Sequence, residues 1–112
     1  MARWRSHRDW FEYEFEVETT VLSQPVLVVG EATVEYVAEP PDPSVGEVSP
    51  SIQTWITHLD FGLYGDDDVE IKLPAEDMEA LKKRLRLELE KDHEYEMYQK
   101  AQEHLQDALQ DM

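Results

Sequence analysis

Apolar and acidic residues alternate strictly near the start of the chain. The stretch from Trp10 to Glu18 reads WFEYEFEVE, so that aromatic residues and a valine alternate with Glu12, Glu14, Glu16 and Glu18. A period of two predicts a β-strand from Trp10 to about Leu22, because successive side chains of a strand point to opposite faces. One face of this strand is aromatic and the other carries only carboxylates.

A second strand with the same pattern is predicted from Val26 to Glu39. Gln24 and Pro25 break the alternation, and so short a break favours an antiparallel hairpin. The apolar residues of the second strand share one face, and Glu31 and Glu35 lie on the other. If the strands pair, these two glutamates join the acidic face of the first strand.

Two further strands complete the predicted sheet. Four prolines and a glycine between Pro40 and Pro50 predict a loop. Apolar residues recur on both faces of the next strand, 52–64, which favours a strand that is covered on both sides or central in the sheet. The run GDDD at 65–68 is typical of a turn, and alternation at 69–73 predicts a short final strand.

The last third of the chain has helical periodicity. Pro74 suits a first helical turn, and residues 75–112 contain neither Gly nor Pro. An unbroken helix of that length would measure about 57 Å, so the chain either turns back near His93 or projects its second half. A projecting half would need a partner for its apolar stripe. The candidates for such an oligomer interface are Tyr98, Leu105 and Leu109.

The predicted fold is therefore α+β. We expect a four-stranded, mainly antiparallel sheet in meander order, with a long C-terminal helix packed on one face. Residues 1–9, MARWRSHRD, form a basic N-terminal arm. Residues 10–112 form a single acidic domain, since a chain of 112 residues has the size of one domain. The sheet is expected at 10–73 and the helical region at 75–112.

Charge is distributed unevenly along the chain. The 26 acidic and 10 basic residues give a formal net charge of -16. Between Asp9 and Glu70 there are fifteen Asp or Glu residues and no Lys or Arg. A region of this kind repels nucleic acid and anionic membranes and attracts basic protein surfaces. The residues predicted to bind a basic partner are Glu12, Glu14, Glu16, Glu18, Glu31, Glu35, Asp66, Asp67 and Asp68.

The spacing of these carboxylates limits how closely they can imitate DNA. Four glutamates on alternate positions of one strand cover about 20 Å, whereas duplex DNA carries about twelve charges over that length. An imitation of nucleic acid would need the second strand and the aspartate turn as well. The other interpretation is a solvated face of an acidic protein.

Other chemistries find little support in the sequence. Three adjacent Asp residues lack the ligand spacing of a calcium loop, and His93 and His104 lie three helical turns apart, too far to hold one metal. The chain contains no Cys, no nucleophile motif and no phosphate-binding loop. We predict no enzyme, no cofactor and no metal, and the lack of an apolar span or signal core predicts a cytoplasmic protein.

The basic arm leaves three interpretations open. Its interleaved aromatic and basic residues could contact nucleic acid, but the acidic body behind them opposes this. It could also be a frayed terminus, or it could dock on the acidic sheet of a neighbouring subunit.

The order of features resembles that of small accessory proteins encoded by bacteriophages and prophages. The resemblance covers roughly residues 30–90 and rests on TVEYVAEPPDPS, then SPSI with an apolar strand, then DDDVEIKLPAEDMEAL. It implies a protein that binds and redirects or inhibits a host enzyme or a defence complex. It implies no site residues, because these motifs contain no diagnostic residue.

Together these features predict a non-enzymatic inhibitor or adaptor. It would present its acidic surface to a basic groove of a host nuclease, polymerase or CRISPR-type complex, without contacting nucleic acid or membrane directly. The alternative is a structural subunit that forms a homodimer or larger assembly through its C-terminal helix.

Overall fold

The structure, a computed structural model, describes residues 5–46 and 49–110. These residues form one sheet, two α-helices and a short 3-10 helix at Pro43–Val45. Four antiparallel strands follow one another in the order β1-β2-β3-β4. Their bounds are His7–Val21 for β1, Gln24–Glu39 for β2, Ser51–Tyr64 for β3 and Glu70–Ile71 for β4. The meander and the α+β class agree with the sequence prediction.

The connection between β1 and β2 differs from the predicted one. Gln24 and Pro25 do not interrupt the hairpin but belong to β2, where they pair with Val21 and Thr20. The loop is only Leu22 and Ser23, and both have positive φ angles. Neither residue is a typical former of that turn, so local composition did not indicate it.

A bulge explains why apolar residues recur on both predicted faces of β3. Val34 pairs with Ile56 and Thr33 pairs with His58, which leaves Thr57 as an extra residue. A bulge of one residue changes which face the following residues occupy. Ile56 and Leu59 therefore both point into the core. Strand β3 lies between β2 and β4, in agreement with the predicted central position. The alternative prediction, coverage on both sides, was wrong because it assumed an uninterrupted period of two.

The C-terminal region forms two helices and not one long helix. Helix α1 spans Ala75–Asp92 and helix α2 spans Glu94–Gln110, with His93 between them. The His93 backbone N–H still donates to Leu89 O, as in a last helical turn. The helical chain is interrupted at His93 without turning back, and α2 does not project from the domain, so neither of the two predicted outcomes is observed.

The two helices lie lengthwise on one face of the sheet. Strands of 14–16 residues are about 50 Å long, and helices of 18 and 17 residues are about 27 and 26 Å long. The extents of 57 × 27 × 21 Å fit this end-to-end arrangement. Two helices in line are longer than a compact domain is wide, but the long strands provide a platform for both helices.

The core lies between this face and the helices. It is built from alternate residues of the strands and from one stripe of each helix. Its fully or almost fully buried members are Phe11, Tyr13, Phe15, Val26, Val28, Ala32, Val34, Tyr36, Ala38, Ile56, Leu59, Leu63, Leu81, Leu85, Leu89, Met97, Ala101 and Leu105.

Close packing within the sheet requires glycine at position 30. A Cβ atom there would lie 2.2 Å from Asp60 O and 2.5 Å from Phe61 Cβ. Both distances are well inside van der Waals contact, and the first involves backbone that cannot rotate away. Gly30 thus allows β2 and β3 to approach at the centre of the sheet.

The ends of the sheet differ slightly from the predicted boundaries. Strand β1 begins at His7, so the last three residues of the predicted arm belong to the sheet, and residues 1–4 lie outside the described part of the chain. Strand β4 is limited to Glu70 and Ile71, and Val69 is exposed. In the part of the chain that the structure describes, neither helix combines the length and apolar character that a membrane crossing would need.

Candidate protein-binding face

The face of the sheet opposite the helices is open to solvent. We call it the helix-free face, and it carries the residues of β1, β2 and β3 that alternate with the core residues. Glu12, Glu14, Glu16 and Glu18 are exposed on it, as the alternation predicted. Along the strands its members are Arg8, Trp10, Glu12, Glu14, Glu16, Glu18, Leu27, Val29, Glu31, Thr33, Glu35, Val37, Gln53, Trp55, His58, Asp60, Gly62 and Tyr64.

Three carboxylates face one another across the middle of this face. Glu14 lies directly opposite Glu31, and Glu31 lies directly opposite Asp60. All three are exposed. We call them the acidic row. Directly opposed like charges destabilise a sheet. A row of three carboxylates is therefore unusual, because a lysine at any one of these positions would relieve the repulsion.

Arg8 supplies the compensating charge at one end of the face. Its Nε lies 2.6 Å from Glu35 Oε1, and its guanidinium carbon lies 5.4 Å from the centre of the Trp55 ring. Glu35 is partly buried and paired, so it differs from the other predicted binding residues. One interpretation of the arm was that it docks on the sheet of a neighbouring subunit, but Arg8 instead contacts the sheet of its own chain.

Asp66, Asp67 and Asp68 lie at the other end of the molecule, in the turn that joins β3 to β4. The turn is closed by bonds from Asp68 N–H to Gly65 O and from Gly65 N–H to Val69 O, both 3.1 Å. Asp66 shares a shallow depression with Glu18 and Pro25, near the β1–β2 loop. The aspartates thus extend the acidic surface beyond the end of the first strand.

The density of charge on this face is close to that of one nucleic-acid strand. Six carboxylates, those of Glu12, Glu14, Glu16, Glu18, Glu31 and Asp60, are exposed along about 20 Å of strand. One strand of DNA carries a charge every 3.4 Å, or about six over the same length. Pairing of β1 with β2 and β3 therefore raises the charge density above that of the four glutamates of β1 alone. It reaches about half the charge density of a DNA duplex.

The helix-free face is not uniformly acidic. Trp10 is 56% exposed and Val29 is 40% exposed, each beside a glutamate of the neighbouring strand. Exposed tryptophan is enriched at sites where proteins bind one another. The face therefore combines charge with apolar anchor points.

The residues of α2 that were predicted to form an oligomer interface pack within the chain itself, which corrects that prediction. Leu105 is 2% exposed, and Leu109 packs against the core. Tyr98 is partly buried and bonds to Gln102 Nε2 at 3.2 Å. The apolar stripe expected to need a partner is covered by the sheet of the same chain, because the long strands extend beneath α2 as well as α1.

Two tyrosine–histidine pairs fix α2 on the sheet. Tyr13 Oη lies 2.7 Å from His93 Nδ1 and also donates to Glu96. Tyr36 Oη lies 2.7 Å from His104 Nδ1. Burial raises the pKa of Tyr36 to about 12, with the charge of Asp9 adding to the effect. Burial, followed by the bond and charge of Glu96, raises the pKa of Tyr13 further.

These histidines therefore have a structural role, His93 just before the first residue of α2 and His104 within its second half. The sequence placed them on one helix face but could not identify their partners, which are 80 and 68 residues away. Among residues 5–46 and 49–110, no three His, Asp or Glu side chains are grouped so that they could hold a metal ion.

Sequence reasoning missed Asp60 and Trp10 as parts of the candidate face. Asp60 follows the bulge, so its face could not be assigned by counting alternate residues from the start of β3. Trp10 was assigned only to the start of a strand, although its even position already places it beside the glutamates.

Comparison with known proteins assigns no family to the chain. No protein-family model matches it, and no curated protein or solved structure matches it significantly.

Proposed function

We propose that this protein is a non-enzymatic inhibitor or adaptor that presents its helix-free face to a basic groove of another protein. The observation that supports the proposal is the acidic row of Glu14, Glu31 and Asp60. Among the described strand residues, Arg8 is the only Lys or Arg on this face, and it is paired with Glu35. The charges of the row are thus left available to a partner.

The mechanism would be electrostatic competition. A face with the charge density of a nucleic-acid strand competes for a groove that binds nucleic acid through Lys and Arg. Long-range attraction accelerates the encounter, and its strength falls as salt is added. Trp10 and Val29 would add apolar contact once the surfaces meet.

The class of partner follows from the resemblance to phage accessory proteins. Such proteins bind and redirect or inhibit host enzymes or defence complexes. We therefore propose a bacterial nuclease, polymerase or CRISPR-type effector as the target, with the protein acting in the bacterial cytoplasm.

Neutralising the acidic row tests this proposal. The triple variant E14Q/E31Q/D60N should lose most of the proteins that the wild type captures from a bacterial lysate at low salt, identified by mass spectrometry. A captured protein, once purified, should release a fluorescent DNA duplex when wild-type protein is added, and high salt should weaken that competition steeply.

A matched control separates the face from the overall charge. The variant E79Q/E103Q/D107N removes three exposed carboxylates from the helices, on the opposite side of the molecule. It should capture the same proteins as the wild type. Equal capture by E14Q/E31Q/D60N and the wild type would refute the proposal.

A further inference from the structure

A groove of about 640 Å³ runs between the outer edge of β3 and the start of α2. Its β3 side includes Ile52 and Thr54, and its helix side includes Glu94, Tyr95 and Tyr98. It follows the edge of the sheet, where Gln53 and Trp55 of the helix-free face also line it, but it includes no residue of the acidic row.

The backbone along this groove has hydrogen-bonding groups that point outward. Ile56 N–H donates to Glu90 Oε1 at 3.4 Å, and Ile56 O accepts from Arg86. Both partners belong to α1, so the N–H and C=O of Ile56 point away from β2. In an antiparallel ladder this direction alternates along the strand. The N–H and C=O of Ile52 and Thr54 therefore point outward too.

Two other parts of this edge are already occupied. Strand β4 pairs with Leu63 and Tyr64, and the side chains of Arg86 and Glu90 occupy the groups of Ile56. In the described part of the chain, the outward groups of Ile52 and Thr54 have no hydrogen-bond partner. An unpaired edge of this kind is a template for another strand.

The lining of the groove indicates the chemistry of its occupant. Within residues 5–46 and 49–110, Glu94 makes no hydrogen bond or ion pair. Tyr95 is 70% exposed, and its hydroxyl accepts a 2.9 Å bond from Gln99, which holds the ring beside the groove. A carboxylate next to tyrosine rings favours a cation. A second copy of this chain, with a net charge of -16, would instead be repelled.

We propose that an extended peptide segment of a partner protein adds to the edge of β3 at Ile52–Thr54 and places a lysine or arginine side chain in this groove. The backbone bonds provide affinity, and the groove selects the side chain. This is a second binding site, distinct from the acidic row, and it meets the helix-free face only at Gln53 and Trp55.

Selection from a library of random linear peptides tests the proposal with defined probes. Enriched peptides should carry one Lys or Arg flanked by β-branched residues at alternate positions. Failure to enrich any peptide, or enrichment of acidic or helical sequences, would overturn it.

Amide hydrogen exchange with an enriched peptide tests the binding mode. In the free protein the amides of Ile52 and Thr54 should exchange fast, while those of Gln53 and Trp55 are protected by β2. Addition of the peptide should protect Ile52 and Thr54. Protection of both without peptide, increasing with protein concentration, would identify a second copy as the occupant and contradict the proposal.

Substitution at Thr54 provides the matched pair. T54P removes an outward N–H without removing a bond to β2, and should weaken peptide binding by about tenfold or more. T54V keeps the N–H and the side-chain shape, and should bind as the wild type does. Equal binding by T54P and T54V would argue against strand addition.

A peptide modification covers the case in which T54P does not fold. Methylating the backbone nitrogens that face β3 should abolish binding, whereas methylating the alternate ones should not. E94Q should reduce the preference for Lys or Arg over norleucine, and an unchanged preference would exclude the groove as the cation site.

Discussion

Leu22 and Ser23 join β1 to β2 with φ angles of 51° and 65°. A two-residue loop with both angles positive is the geometry of a type I′ turn, which favours Asn-Gly. For a residue with a Cβ atom, the left-handed region costs about 1–2 kcal/mol. Leu22 is 73% exposed, so burial of its side chain offsets little of that cost.

The double substitution L22N/S23G should therefore stabilise the protein. We expect an increase of about 1–2 kcal/mol in the free energy of unfolding, measured by urea denaturation followed by circular dichroism. L22I, which places a β-branched residue at the same φ, should be destabilising. If L22N/S23G unfolds at a lower urea concentration than the wild type, the turn is not under this strain.

At the scale of elements, α2 is held by groups that titrate at high pH. Tyr13 and Tyr36 are buried, and each forms a hydrogen bond with a histidine of the helical region. Both phenols have a folded-state pKa above the ordinary value of 10.0, and that of Tyr36 is raised to about 12. The folded protein thus retains protons that the unfolded chain releases.

Stability should consequently decline in alkali. The contribution of these tyrosines is fully present below pH 10.0 and is lost as pH rises through the raised folded pKa values. Y36F should flatten the decline in the free energy of unfolding between about pH 10 and 12, with phenolate absorbance recording the titration. At neutral pH, Y36F should cost about 1 kcal/mol, because His104 loses its partner.

Y95F serves as the control for that measurement. It removes an exposed phenol from α2, so its decline should match that of the wild type. If the free energy of unfolding of Y36F declines in alkali as steeply as that of the wild type, Tyr36 does not determine the loss of stability at high pH.

Some element boundaries could be predicted from the sequence and others could not. Alternation identified β1 and β2 because each has one continuous buried face. The bulge at Thr57 shifted the alternation of β3, and the bend at His93 involves neither Gly nor Pro. Both features depend on contacts with other elements, which a local pattern does not contain.

At the scale of the whole molecule, the net charge of -16 opposes the compact state. The acidic row concentrates part of that repulsion in the middle of the sheet. Salt screens exposed charges over about 10 Å at 0.1 M, so the melting temperature should rise with NaCl concentration.

The salt dependence should be smaller in E14Q/E31Q/D60N than in the wild type. This variant should also melt at a higher temperature at low salt, because directly opposed charges have been removed. E79Q/E103Q/D107N, which changes the net charge equally, should retain more of the salt dependence. A lower melting temperature of E14Q/E31Q/D60N at low salt would show that the row does not destabilise the sheet.

The sequence by itself determined the α+β class, the strand order and the face on which the glutamates of β1 lie. These follow from hydrophobic periodicity, which is local and depends on burying one face of each element. Only the tertiary structure placed Asp60 beside Glu31, paired Arg8 with Glu35 and covered Leu105 with the sheet. Strand register, a bulge and the packing of α2 decided these contacts, because they join residues that are distant along the chain.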